Sequence, residues 1–170
     1  RPGPVQIVMK ANLFEAEEQK QIVRTIVPSP VPIPVIDESK LDEAVELLLE
    51  SVKPIIYAGS GVVAANAEKL LQTLALKLGA PVITSIKGRG ALSEEDPISF
   101  GLPGFVGCED MLKESDLCLA LGTGFGQFST SYYKMPMTKN LIQIDISEDR
   151  LGRNYPALLG IQGEIDVALQ

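Results

Sequence analysis

Glycine-rich turns that directly follow apolar runs carry the candidate chemistry of this sequence. Gly59-Ser60-Gly61 comes after the run Pro54–Ala58 and fits the spacing G-x-G-x-x-A as far as Ala64. Glycines at that spacing permit a tight turn and close approach of a phosphate, and the N-terminus of a following helix favours negative charge. The turn predicts a nucleotide site with free backbone amides. A plain strand-to-helix connection is the alternative.

Three further apolar runs end in glycine or small polar residues. Ligands of open α/β sheets bind at the carboxyl ends of the strands, so we expect these turns to line one crevice. A standard NAD site needs an acidic residue after the second strand, where this sequence has Thr84-Ser85, which disfavours that cofactor. The turns that the crevice would join to Gly59–Gly61 are Gly101-Leu102-Pro103-Gly104, Gly122-Thr123-Gly124 and Asp145-Ile146-Ser147.

Composition limits the remaining chemistry. The chain has no histidine, so the commonest general base is missing, and its two cysteines lack the spacing of a zinc site. We therefore predict no metal site, and catalysis by this chain alone would need carboxylates or lysines. The net charge of −7 disfavours a nucleic-acid partner, and no apolar run approaches the ~18 residues of a membrane span. Cys118 within an apolar run, with no signal peptide, favours a cytoplasmic protein.

Alternating strand and helix patterns surround these turns. Helices are predicted over 39–52, with a capping box at Ser39–Asp42, over 67–78, over 109–114 and from Glu164. Strands are predicted over 4–9, 54–58, 81–85, 116–121, 140–146 and 157–161. This alternation predicts an α/β fold: a Rossmann-like, doubly wound, parallel sheet of about six strands with helices on both faces.

Four prolines within Pro28–Pro34 indicate an extended connector. We therefore expect residues 1–34 to be the end of a preceding domain plus a linker, and residues 35–170 to be the compact domain. The sequence opens at Arg1 rather than at methionine, which favours a piece of a larger protein.

Taken in order, several blocks resemble the central domain of thiamine-diphosphate-dependent enzymes of the acetolactate synthase and pyruvate oxidase superfamily. Arg1–Val5 resembles the last strand of the pyrimidine-binding domain that precedes it. The blocks of the central domain are Pro54–Val62, Ala80–Ser85, Lys87–Gly90, Ala120–Thr123, Gln143–Ile146 and Gly152–Pro156.

The resemblance implies a parent enzyme that acts on 2-oxo acids, with thiamine diphosphate and magnesium bound by the pyrimidine- and diphosphate-binding domains outside this chain. It implies a homodimer or homotetramer for the parent and no catalytic residue here. Flavin-containing members place the adenosine and diphosphate of FAD on this domain. Those contacts map to Gly59, Ser60, Gly61, Thr84, Ser85, Gly101 to Gly104, Gly122, Thr123, Asp145 and Ile146, with Glu164 and Ile165 near the adenine.

The sequence departs from the flavin members at one turn. They often carry Gly-x-Arg-Phe-Asp, whereas this chain has Gly122-Thr123-Gly124-Phe125-Gly126. A charge-assisted contact is thereby lost, so we expect weak FAD binding or none, and an adenine nucleotide such as ADP or an anion such as sulfate in preference to flavin. Two alternatives stay open: a central domain that serves only as scaffold and subunit interface, and an independent Rossmann-like nucleotide-binding protein unrelated to thiamine chemistry.

Overall fold

The computed structural model describes residues 5–14, 32–104 and 107–170. The chain divides into two units, residues 1–32 and 33–170, and each is described by itself. In the first unit, residues 5–10 adopt no regular structure and Ala11–Phe14 form a 3-10 helix, so the strand predicted over 4–9 is wrong where it is described. Part of the predicted proline connector, residues 28–31, lies outside the described residues.

The second unit is an all-parallel sheet. Its strands are β1 (Pro54–Ala58), β2 (Val82–Thr84), β3 (Leu117–Leu121), β4 (Leu141–Asp145) and β5 (Leu159–Gln162), in the spatial order β2-β1-β3-β4-β5. The α/β fold is confirmed. The described residues form five strands rather than six.

A short segment lies beside the edge strand β2. Ile98–Gly101 runs parallel to β2 through a single bridge between Val82 and Ser99. Val82 N–H donates to Ile98 O at 2.8 Å, and Phe100 N–H donates to Val82 O at 2.9 Å. The segment therefore covers the edge of β2 without continuing as a strand.

Helices cover both faces of the sheet. They are α1 (Glu38–Glu50), α2 (Ser60–Ala64), α3 (Glu68–Leu78), α4 (Cys108–Glu114) and α5 (Ile165–Ala168). Asp37 caps the N-terminus of α1, and its carboxylate accepts from Ser39 N–H at 3.1 Å, so the capping box expected at Ser39–Asp42 is wrong. Gly79, with φ +61°, ends α3 at the predicted stop.

Alternate strand residues supply two cores. On one face, Ile56 and Ala58 of β1 pack in a core that also holds residues of α1, α2, α3 and α5. On the other face, Ile55 and Tyr57 pack with α4 and with the chain around Phe125 and Met135. The period of two along buried strands thus distributes one apolar run between both layers.

Candidate functional site

The strand order places a topological switch point between β1 and β3. From β1 the chain crosses to β2 on one side, then returns to β3 on the other, and Ala58 and Leu121 are register partners at the carboxyl ends. Crossovers that leave in opposite directions open a crevice between the loops, where ligands of such sheets bind. We call the residues after β1, β3 and β4 (59–61, 122–126 and 145–147) the switch-point crevice.

The two glycine turns of the crevice pack directly against each other. Gly59 N–H donates to Leu121 O at 2.8 Å, and Gly61 N–H donates to Gly122 O at 3.0 Å. A Cβ on Gly61 would lie 2.5 Å from the Cα of Gly122, which itself has φ +58°. The glycines are therefore required by the contact between the loops. The expectation that the Gly59 and Gly61 amides remain free is wrong, since both donate to protein carbonyls.

The end of β2 is similarly occupied by protein contacts. Thr84 donates to Gly101 O from N–H at 2.8 Å and from Oγ1 at 3.2 Å, while Ser85 N–H donates to Ala58 O at 2.8 Å. Both side chains are buried. These two candidate residues fix the end of β2 to the neighbouring strand and to the edge segment.

Beyond β2, the candidate turn Gly101–Gly104 adjoins a cavity of about 190 Å³. Gly101 and Leu102 line it together with Arg89, Glu94, Ser99 and Phe100. Arg89 is ion-paired with Glu94, so one of the two cations in the Lys87–Gly90 loop is already neutralised. In the order of the sheet, β1 and β2 separate this turn from β3 and β4.

At the end of β4, Asp145 is buried and its Oδ1 accepts from Ser147 N–H at 3.0 Å. Ile146 is 41% exposed at the crevice. Glu164 stands partly exposed at the N-terminus of α5, whereas the side chain of Ile165 is buried in the core. Of the two residues predicted near an adenine, Glu164 therefore has exposed side-chain surface and Ile165 does not.

A buried glutamine that the motifs did not single out organises the loops on the β3–β4 side. Gln143 Nε2 donates to Thr123 O at 2.9 Å and to Arg150 O at 3.0 Å, and its Oε1 accepts from Gly152 N–H at 2.8 Å. The residue is fully buried. In the sequence it could have been recognised as a single polar residue within the apolar run Leu141–Ile144.

Arg150 was also missed by the sequence motifs. Its side chain lies across Gly124, where a Cβ would be 2.9 Å from Nη1 and 3.2 Å from Cδ. Asn154 holds the same loop, since its Nδ2 donates to Gly124 O at 2.7 Å and to Phe125 O at 3.1 Å. No local pattern could reveal this contact, because it joins the loop after β3 to the loop after β4.

The family model described as "Thiamine pyrophosphate enzyme, central domain" matches residues 41–170. The chain belongs to this family. The predicted resemblance is therefore confirmed at the level of the family and its central domain.

Curated relatives extend the comparison. The chain is 31% identical over 180 residues to a probable acetolactate synthase large subunit of Methanococcus aeolicus, covering 100% of this chain and 30% of that protein. It is 34% identical to a sulfoacetaldehyde acetyltransferase of Roseovarius nubinhibens, over 75% of this chain and 22% of that protein. It is 30% identical to a glyoxylate carboligase of Escherichia coli O157:H7, over 99% of this chain and 29% of that protein. This central domain thus spans less than a third of each relative.

The polar groups of this central domain are largely satisfied by the protein. Within the described ranges, every buried side-chain nitrogen and oxygen has a hydrogen-bond partner, and no group of three or more His, Cys, Asp or Glu residues could hold a metal ion. No helix described here has the length and apolarity to cross a membrane. Three features of the crevice could accommodate a nucleotide. They are the half-buried side chain of Arg150, the open space beside Gly126 and the exposed side chain of Ile146.

Proposed function

We propose that this chain is the central domain of a thiamine-diphosphate-dependent enzyme acting on 2-oxo acids, and that the switch-point crevice binds ADP or the ADP portion of FAD. The strand reversal between β1 and β3 carries the proposal, since it brings three candidate turns to neighbouring strand ends. The family match and the names of the curated relatives support the thiamine part.

In this proposal the chain has a binding and positioning role. Thiamine diphosphate, with magnesium, supplies the carbanion chemistry on the 2-oxo acid when bound by the neighbouring pyrimidine- and diphosphate-binding domains. The residues of this domain hold the adenine nucleotide and present surfaces to those domains within a dimeric or tetrameric, cytoplasmic parent. Residues 1–34 then belong to the preceding domain and its connector.

The thiamine part is tested by reading the coding sequence on both sides of this chain. We expect a Gly-Asp-Gly…Asn motif after residue 170 and a catalytic glutamate before residue 1. Their absence from a complete reading frame would leave the independent nucleotide-binding protein as the better account.

The nucleotide part is tested by calorimetric titration of the purified protein with ADP and with FAD. We expect ADP to bind with a Kd between about 1 μM and 1 mM, and FAD to bind no more tightly, because the domain lacks the charged pair at positions 124 and 126. Tight binding of FAD, or a yellow protein on purification, would contradict the preference for ADP.

A scaffold role without nucleotide is the second candidate. The direct packing of Gly59 and Gly61 on the Gly122 turn favours it, because that contact uses amides which a phosphate would otherwise need. An exposed apolar stripe on and just after α1, made of Val45, Leu49 and Val52, offers a docking surface. Absence of binding by either nucleotide in the titration would establish this candidate over the first.

A further inference from the structure

The side chain of Arg150 occupies space that the residue at position 124 leaves empty. A Cβ at Gly124 would lie 2.9 Å from Nη1 and 3.6 Å from Cζ, so the guanidinium rests directly on this glycine. The arginine comes from the 3-10 helix Glu148–Arg150 after β4, and the glycine from the loop after β3. A cation from one loop thus stands beside the turn of another at the carboxyl edge of the sheet.

This cation has no acidic partner in the part of the chain that the structure describes. Arg89 pairs with Glu94, and Arg153 pairs with Asp149 at 3.8 Å, yet no carboxylate lies within 4.0 Å of the Arg150 guanidinium. The chain has 22 acidic and 15 basic residues, and two acids immediately precede Arg150. An unpaired arginine in such an acidic chain is free to hold an external anion.

The main chain of Arg150 is fixed by its surroundings. Its carbonyl accepts from the buried Gln143 Nε2 at 3.0 Å, and its N–H donates to Ser147 O at 3.1 Å. In the loop after β3, two residues beyond Gly124, a Cβ on Gly126 would have no atom within 4 Å. The main chain that carries the guanidinium is therefore held in place, and the loop that the guanidinium contacts at Gly124 has open space at Gly126.

We propose that Arg150 is the anion-binding residue of the switch-point crevice and contacts the diphosphate of a nucleoside diphosphate. The inference rests on the nucleotide site proposed above and specifies its charged contact. A guanidinium can bind two phosphate oxygens at once, which the occupied amides of Gly59 and Gly61 cannot do. Gly124 is then needed to let the arginine lie across the loop.

Calorimetric titrations with ADP and with inorganic pyrophosphate test the role of Arg150. We expect R150A to weaken both by about tenfold to a hundredfold, and R150K to restore part of the loss, since lysine keeps the charge without the bidentate geometry. The matched control is R153A, which removes a neighbouring arginine already paired with Asp149, and it should bind like the wild type. Urea midpoints for each variant separate lost binding from lost folding.

A second pair of variants tests the position of the guanidinium rather than its presence. G124A places a methyl group against Nη1, the far end of a flexible side chain, so the protein should stay folded while the guanidinium is displaced and ADP binding weakens. G90A adds the same methyl group outside the switch-point crevice, where it would meet only Val63 Cγ2 at 3.7 Å, and should bind normally.

The outcomes separate this inference from the nucleotide site itself. Equal ADP binding by R150A and the wild type overturns the role of Arg150 and leaves the nucleotide site standing. Arg150-dependent binding of pyrophosphate without binding of ADP or FAD supports the anion contact and overturns the nucleotide site. No binding of pyrophosphate or ADP by the wild type overturns both.

Discussion

At Gly61 two local effects on stability oppose each other. Alanine is favoured over glycine within a helix by up to about 1 kcal/mol, and Gly61 lies in α2. A Cβ there, however, would lie 2.5 Å from the backbone Cα of Gly122, which cannot move aside as a flexible side chain could. We expect Gly61→Ala to lower the free energy of unfolding by about 1 to 2 kcal/mol, measured by urea denaturation.

Gly90→Ala is the matched control for that substitution. Its Cβ would meet only Val63 Cγ2, at an ordinary 3.7 Å. Its free energy of unfolding should change by less than about 0.5 kcal/mol. A stabilised Gly61→Ala would show that helix propensity outweighs the contact between the loops.

The buried amide of Gln143 gives a second prediction at this scale. Leucine fills a similar volume but leaves Thr123 O, Arg150 O and Gly152 N–H without their partner. A buried group that loses its hydrogen bond costs about 1 to 3 kcal/mol, but only the contact with Thr123 O is fully buried and the other two are partly buried. Gln143→Leu should therefore lower the free energy of unfolding by about 2 to 4 kcal/mol. Thermal and urea unfolding measure this.

Gln162→Leu is the control for that change, since Gln162 makes one exposed hydrogen bond, from Nε2 to Ile146 O at 3.2 Å. The substitution should alter stability by less than about 0.5 kcal/mol. Equal losses of unfolding free energy in Gln143→Leu and Gln162→Leu would mean that the hydrogen bonds of Gln143 contribute no additional stability.

The sequence predicted the position of the glycine turns and could not predict what they contact. Spacing within Gly59–Ala64 is local information, and it correctly placed the turn between β1 and a helix. The partner of that turn is Gly122, which is distant in the chain. Close approach of a phosphate and close approach of another loop both require a glycine, so the spacing alone does not distinguish them. The roles of Gln143 and Arg150 were missed for the same reason, because each depends on contacts between separate loops.

At the scale of elements, the start of α1 shows how local signals compete. Ser39-Lys40-Leu41-Asp42 fits a capping box, but Asp37 also fits a cap, and the structure uses Asp37 with helix from Glu38. Long apolar runs gave the strands more reliably, since all five observed strands lie within or near predicted ones. The remaining predicted strand, over 4–9, is not formed by its described residues, because residues 5–10 bury no apolar side chain.

The turn between α1 and β1 depends on one carboxylate. Asp116 Oδ2 accepts from Val52 N–H at 2.7 Å, and Oδ1 accepts from Lys53 N–H at 3.0 Å and from Ser51 Oγ. The hydrogen bond from Ser51, followed by those from the two amides, holds the pKa of Asp116 below its ordinary 3.8. A carboxyl with a depressed pKa in the folded state stabilises the fold above its ordinary pKa and loses that contribution as pH falls.

We therefore expect the urea midpoint of the wild type to fall as pH drops below about 4, and that of Asp116→Asn to fall less over the same range. Asp110→Asn, at an exposed carboxylate paired with Lys113, is the control and should follow the wild type. Parallel pH profiles for wild type and Asp116→Asn would remove Asp116 from the account of acid stability.

At the scale of the whole molecule, the two cysteines report on cooperative unfolding. Burial raises the pKa of Cys118 to about 12, and burial together with Glu109 raises the pKa of Cys108 to about 11. Both thiols lie in the core shared with α4. Thiolate reactivity requires deprotonation and access, so neither thiol should react with a chromogenic disulfide at about pH 8 while the fold is intact.

Titration of thiol reactivity against urea measures that prediction. Two thiols per chain should become reactive together at the midpoint seen by circular dichroism. One thiol reacting fully before the midpoint would show that the face holding α4 opens independently of the rest of the sheet.

The short segment beside β2 bears on self-association. A five-stranded open sheet has two edges, and exposed edges invite pairing with the edge of another molecule. On one side Ile98–Gly101 occupies the hydrogen-bonding groups of β2 and ends at Gly101, with φ +71°, where the chain turns away. On the other side Lys40 Nζ donates to Gly160 O of β5 at 3.2 Å. Strand addition is thus blocked by backbone at the β2 edge, whereas at the β5 edge a lysine charge opposes it at one carbonyl.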